Sequence, residues 1–287
     1  MTARYPGHLR VAADRTTMTR FQTVNPKHVQ YLYHWQPFAR DRLITILREH
    51  KIWCSQPSAF NDPWDCKPYY NTELLNDQQE RERHIEWYAE ITRRHRPDIP
   101  ADFIANTQKE LRENHELLLK RTIECSEEMW AAVDQRYRVY CLGPNVHNTL
   151  MWANYSDSHK GICLEFSTRN KLICCALRVE YSREFPVMRQ YSNDPDESLV
   201  ALLTKSDSWD YEKEYRLVAQ EKGFATAHET LITEGNYLAL PKDALTSIIV
   251  GCQGPCEEVR DLVRVHAPDV SVKQAVRIPN RYELHIE

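Results

Sequence analysis

Four segments of the chain carry residue types that can do chemistry. The first is Asp210-Tyr211-Glu212-Lys213-Glu214-Tyr215-Arg216-Leu217-Val218. Read as one strand, it alternates its side chains, so Glu212, Glu214 and Arg216 share a face opposite Tyr211, Lys213 and Tyr215. Two carboxylates about 7 Å apart beside a guanidinium suit a polyol, a cation or a developing positive charge. The plainer meaning is a solvated strand face with a surface ion pair, which is worth little. The second segment runs from Leu150 to Phe166 and places Trp152 and Tyr155 among Asn154, Ser156, Asp157, Ser158, His159 and Lys160. Aromatic faces beside hydroxyls and a lysine can stack on and hydrogen-bond a planar ligand. A helix-to-strand junction with a buried tryptophan explains the same residues without a ligand. The third is Tyr33-His34, at the end of a strand, where an imidazole can serve a ribose hydroxyl or act as a base. The fourth is the loop Asn61-Asp62-Pro63-Trp64-Asp65, whose Asn-Asp-Pro run is turn chemistry.

These segments need elements to hold them. Val29–Trp35 has the β-branched and aromatic content of a strand. Ala39–His50 reads as a helix with Leu43, Ile44 and Leu47 on one face, and Lys51–Ser55 as a short strand. From Glu73 to Asp134 the chain is charged, acidic on balance, and helical, with Ile104, Leu111, Leu118 and Cys125 recurring every seven residues. Strands are expected at Arg138–Leu142, Gly161–Phe166, Leu177–Tyr181, Tyr211–Gln220, Tyr237–Leu240, Ser247–Val250 and Val270–Arg277, with a helix at Pro255–Val265. Strands flanking a helical block without regular alternation predict an α+β fold with a mixed, mainly antiparallel sheet. Residues 1–27 are expected to form a mobile tail, with Met18 an alternative start, and residues 28–287 a single domain with its helical insertion at 73–135.

Composition removes some classes. Hydrophobic residues make up 42 % of the 287, enough for a real core. The seven glycines form neither GxGxxG nor a P-loop, so the common phosphate-cradling turns are missing. No GxSxG or HExxH occurs. Nine cysteines cannot all pair within one chain, and no CxxC is present, which argues for a reduced cytoplasmic protein without a metal site. A net charge of −4 speaks against nucleic acid as a partner. No apolar run reaches the length of a membrane span, and the N-terminus has no signal-peptide core.

The order Leu32-Tyr33-His34-Trp35, Phe60-Asn61-Asp62-Pro63-Trp64-Asp65-Cys66, Leu150–Tyr155 through Lys160–Phe166, and Trp209–Arg216 resembles the bacterial domain of unknown function (DUF) 2971 family over about Tyr31 to Val250. The family tends to show a Cys-Phe-Ser-like step where this chain has Cys141-Leu142-Gly143. A looser resemblance is to ADP-ribosyltransferases, which share the layout of an aromatic-histidine strand, a middle aromatic segment and a late Glu-x-Glu strand. That resemblance implies NAD as substrate, His34 on the nicotinamide-side ribose or amide, Trp152 or Tyr155 stacked on the nicotinamide, and Glu214, with Glu212 beside it, as catalytic carboxylates. Tyr33, Asn61, Asp62, Lys160 and Arg216 complete the candidate binding set. Two other readings stand beside it: a ligand- or protein-binding module of a defence or toxin system, and a metal-dependent nucleic-acid enzyme built on Asp62, Asp65, Glu212 and Glu214.

Overall fold

A computed structural model describes residues 21–67, 69–192, 197–224 and 231–287. The Met18 start falls outside them. The α+β class holds, with sheets that are mixed and mainly antiparallel. Strand β1 (Tyr31–Gln36) feeds helix α1 (Arg40–Glu49), which buries Leu43, Ile46 and Leu47 and ends on His50 in the left-handed region. Strand β2 (Lys51–Trp53) follows, then a two-residue strand β3 (Tyr69–Tyr70). Helices α2 (Gln78–His95), α3 (Ala101–Glu113) and α4 (His115–Arg136) form the charged block. Their seven-residue stripe is not one helix. Asn114 ends α3 and caps α4 by accepting from Leu117 N, so Leu111 reaches the shared core from a different helix than Leu118.

Next come β4 (Tyr137–Leu142), α5 (Thr149–Tyr155) and β5 (Ile162–Ser167). Short strands β6 (Leu177–Arg178), β7 (Glu180–Ser182) and β8 (Val187–Met188) precede the buried helix α6 (Glu197–Leu203) and β9 (Thr204–Ser206). The chain closes with β10 (Tyr215–Glu221), β11 (Ile232–Glu234), β12 (Tyr237–Ala239), β13 (Leu245–Val250), α7 (Cys256–His266), β14 (Ser271–Arg277) and β15 (Leu284–Ile286).

Two sheets form the body. One has the order β1-β5-β13-β14-β15; the other has β2-β12-β11-β10-β4, with β6 added to β10. In the second, Ser55 just after β2 pairs back with Val139 on β4 at 2.8 and 2.9 Å, so this sheet curls round on itself. The sheets are tied where Tyr33 of β1 exchanges two 2.8 Å backbone hydrogen bonds with Gly143, just past β4. A Cβ at Gly143 would lie 3.0 Å from the Trp35 ring, which accounts for glycine at this step of the Cys141-Leu142-Gly143 run. Leu32, Leu43, Leu47, Ile52, Leu164, Phe166, Leu217 and Ile248 fill the space between sheets and helices. Residues 21–27 belong to this body, contrary to the expectation of a tail. Phe21 and Val24 are buried, and Val24 N donates to Ala176 O at 2.9 Å. Among the described residues no helix is long and apolar enough to cross a membrane.

Candidate functional site

The Glu-x-Glu segment is not the continuous strand its alternation predicts. Asp207–Glu212 coils as a 3-10 turn, Lys213 sits at φ 47° in the left-handed region, and β10 begins only at Tyr215. The left-handed residue turns the chain so that the exposed Lys213 points away while Glu212 and Glu214 both go inward. They converge on Lys205 of β9, whose ammonium lies 2.6 Å from Glu212 Oε2, 3.3 Å from Glu214 Oε2 and 3.6 Å from Asp65 Oδ2. Arg216 closes the cluster from behind. Its guanidinium is wholly buried and spends its donors on Glu214 (2.8 and 3.0 Å), Asp65 (3.0 and 2.6 Å) and Leu202 O (2.7 Å). Forked pairing of this kind is the strong form of a charged hydrogen bond.

The two glutamates differ in consequence. Burial opposes ionisation of Glu214, but Arg216 and Lys205 together outweigh it and hold the carboxyl down at about 2. Glu212 feels burial most, and its pKa is raised despite Lys205 and the Tyr155 hydroxyl, which donates to Oε1 at 2.6 Å. Glu214 is therefore a fixed anion locked in ion pairs, and burial makes Glu212 the more readily protonated of the two. Three carboxylates meet two cations, so the cluster carries one net negative charge whenever Glu212 is ionised.

This cluster lies at the wall of a cavity of about 300 Å³ that His34, Trp35, Trp53, Phe60, Asn61 and Tyr155 also line. His34 arrives from β1 and stacks on Tyr140 at 4.1 Å. Its Nδ1 donates to Cys141 O at 2.8 Å, which leaves Nε2 as the acceptor nitrogen. Burial lowers its pKa to about 4, so the ring is neutral at pH 7. Trp35 Nε1 and Tyr140 Oη, on two residues of the same lining, are buried without a hydrogen-bond partner. A second cavity of about 750 Å³ adjoins the first and shares Asn61, Asn154 and Lys205 with it.

Of the residues singled out from the sequence, the fold brings His34, Asn61, Tyr155, Glu212 and Glu214 to one cleft, and Asp62 to the adjoining cavity, where its side chain accepts from Trp64 N at 2.9 Å. Others fall elsewhere. Trp152 has no exposed surface and donates Nε1 to Val146 O at 2.7 Å, so it cannot stack on a ligand; instead it braces Trp35 edge-on at 6.4 Å. Arg216 is sealed behind Glu214 and cannot reach a substrate. Tyr33 turns to Glu165, and Lys160 is exposed in the turn beyond α5, outside both linings. Lys205 has no counterpart among the sequence candidates, although a lysine two residues past the apolar run Leu199-Val200-Ala201-Leu202-Leu203 is a charge the fold must bury or pair.

A metal among Asp62, Asp65, Glu212 and Glu214, as the metal-dependent nucleic-acid reading requires, meets a direct obstacle: Asp62 lies at the adjoining cavity, and the Lys205 ammonium already occupies the point where the other three carboxylates converge. Among the described residues no group of three or more His, Cys, Asp or Glu is arranged to hold a metal ion.

Residues 151–217 match the DUF2971 family of proteins of unknown function. The DUF2971 match begins on α5 and ends on β10, so it contains Tyr155, Lys205, Glu212, Glu214 and Arg216, while His34 and Asn61 precede it. No curated protein and no solved structure matches the chain.

Proposed function

We propose that the cleft cleaves the nicotinamide–ribose bond of NAD and passes the ADP-ribosyl group to an acceptor. The observation that carries this reading is the meeting of His34, Tyr155 and Glu212 at one cavity from three distant stretches of chain. Breaking the C1′–N bond sends its electron pair to nicotinamide and leaves positive charge on the ribose. A buried cluster with one surplus carboxylate, fixed before substrate arrives, stabilises that charge where water would not. Glu212, adjacent to the cavity and able to give up or take a proton, holds a ribose hydroxyl and faces the oxocarbenium-like centre, as carboxylates do in glycoside cleavage. Glu214, which the sequence put at the centre, becomes the positioning residue that fixes Lys205 beside Glu212. The neutral His34 presents Nε2 as an acceptor to a ribose hydroxyl or the carboxamide N–H.

Incubation of purified protein with labelled NAD in a bacterial lysate tests this. Wild type transfers label to protein or nucleic acid, and Glu212→Gln does so at least about 100-fold more slowly, the loss expected for one transition-state contact. No label and no NAD consumption with folded wild-type protein overturns the proposal. The same cavity would then be that of a binding module without turnover.

A further inference from the structure

The larger cavity carries a chemistry that the cleft beside it does not explain. Trp64 is 65 % exposed and Phe185 43 % exposed at its wall, and Trp209 also lines it. Aromatic faces of this size left in water mark contact surfaces. The same wall holds the exposed Lys67 and Arg183, in a chain whose net charge is −4. The hydroxyls of Ser206 and Ser208 and the Asn154 amide supply neutral polar groups to the same lining.

We propose that this cavity is a nucleoside-phosphate site. A heterocyclic base stacks on Trp64 and Phe185, one or two phosphates take Lys67 and Arg183, and the sugar lies against the serine hydroxyls. An apolar ligand would leave the cations and hydroxyls unused. A polynucleotide is disfavoured because Asp62 and Glu184 share the wall and Arg183 already lies 3.7 Å from Asp207, a field too weak for a run of phosphates. Through Asn61, Asn154 and Lys205 the site is continuous with the cleft. The nucleotide is therefore either the far half of a dinucleotide donor or a separate acceptor nucleotide. Only that last step rests on the proposed transfer reaction; the binding site itself does not.

The test is titration of the full-length protein with ADP, GDP and UDP, followed by tryptophan fluorescence and calorimetry. At least one of them binds wild type and quenches fluorescence. Trp64→Ala weakens that binding roughly tenfold or more, and Trp64→Phe stays close to wild type, as expected of a stacking platform. Because the Trp64 side chain is exposed, both variants keep the fold. Competition with NAD identifies the far half of the donor; binding without competition identifies a separate nucleotide. Failure of all three nucleotides to bind, or equal binding by Trp64→Ala, overturns the site even if NAD is consumed. Nucleotide binding by a protein that never consumes NAD leaves the site standing and removes the transfer reaction alone.

Discussion

The molecule buries a lysine-paired carboxylate in two places, and the two differ in how their charges close. On the first sheet, Glu165 of β5 accepts from Lys273 Nζ at 3.0 and 2.9 Å, from Thr246 Oγ1 at 2.9 Å and from Ser247 Oγ at 2.8 Å, with the Tyr33 hydroxyl also on it. One anion meets one cation, and hydroxyls fill the remaining lone pairs. It lines neither cavity. On the second sheet, Asp65, Glu212 and Glu214 crowd Lys205 and Arg216 at the wall of a cleft. Burial of a charged pair is thus no mark of function by itself; what sets the proposed site apart is an unbalanced cluster that opens on a cavity. Glu165 is what a structural carboxylate looks like in this fold, and it is the control for every experiment on Glu212.

The largest difference should appear in stability. Arg216→Met leaves Asp65 and Glu214 facing each other without their guanidinium, and breaking a buried pair in this way costs about 3–5 kcal/mol. Lys273 is partly exposed, so after Lys273→Met water and the three hydroxyls of Thr246, Ser247 and Tyr33 still serve Glu165, and the loss should stay near 1 kcal/mol. Urea unfolding of the two variants checks the contrast, and equal losses would abolish it. Catalysis should separate the clusters next. Glu212→Gln drops label transfer from NAD at least about 100-fold with stability unchanged or slightly raised, because its burial works against the ionised form. Glu165→Gln should leave the rate within about twofold of wild type. A comparable rate loss from both would show the assay to be reading fold rather than chemistry.

How much of this was legible in the sequence follows from which forces act locally. The strands around His34, Cys163 and Ile248 and the helices at 40–49 and 256–266 follow from periodicity and propensity, both local properties. The convergence of Glu212 with Glu214 was also readable, but for the wrong reason. Strand alternation implied it, whereas a left-handed Lys213 produces it, and no glycine or asparagine marks that turn. Which of the two readings of the Trp152 segment holds, and how deep Arg216 lies, was not legible, because polar or aromatic character does not reveal depth: both have no exposed surface, one serving Trp35 and the other the carboxylates. The short parallel pairing of β7 with β9, which brings Lys205 beside the glutamates, joins residues 180–182 to 204–206 and leaves no trace in either segment alone.

A smaller effect should appear in acid. His34 has its pKa lowered from 6.5 to about 4 and Glu214 from 4.5 to about 2. For both groups the unfolded chain holds a proton more readily than the folded one, so both contribute stability that is present at high pH and lost as pH falls. The first loss runs from about 6.5 down to 4 and the second from 4.5 down to 2. Urea midpoints measured across this range should decline in both windows, and His34→Gln should flatten the upper one only. A decline of the same steepness in His34→Gln would assign it to other groups.

The smallest effect is the sharpest test of which carboxyl works. The Tyr155 hydroxyl donates to Glu212 Oε1 and favours its ionised form, so Tyr155→Phe raises an already raised pKa. If Glu212 acts as a carboxylate, the acid limb of the transfer rate moves to higher pH by about one unit, the size of one lost hydrogen bond to a charged group. The rate on the alkaline side of that limb changes little, since the carboxylate is ionised there with or without the hydroxyl. Tyr33→Phe makes the same chemical deletion at Glu165 and should leave the profile where it was. A rate that falls equally at every pH in Tyr155→Phe would mean that the ring positions substrate and that Glu212 does not set the limb. An unmoved profile in both variants would shift attention to Glu214, whose pairing with Arg216 puts its own titration near pH 2 and beyond reach of the tyrosine.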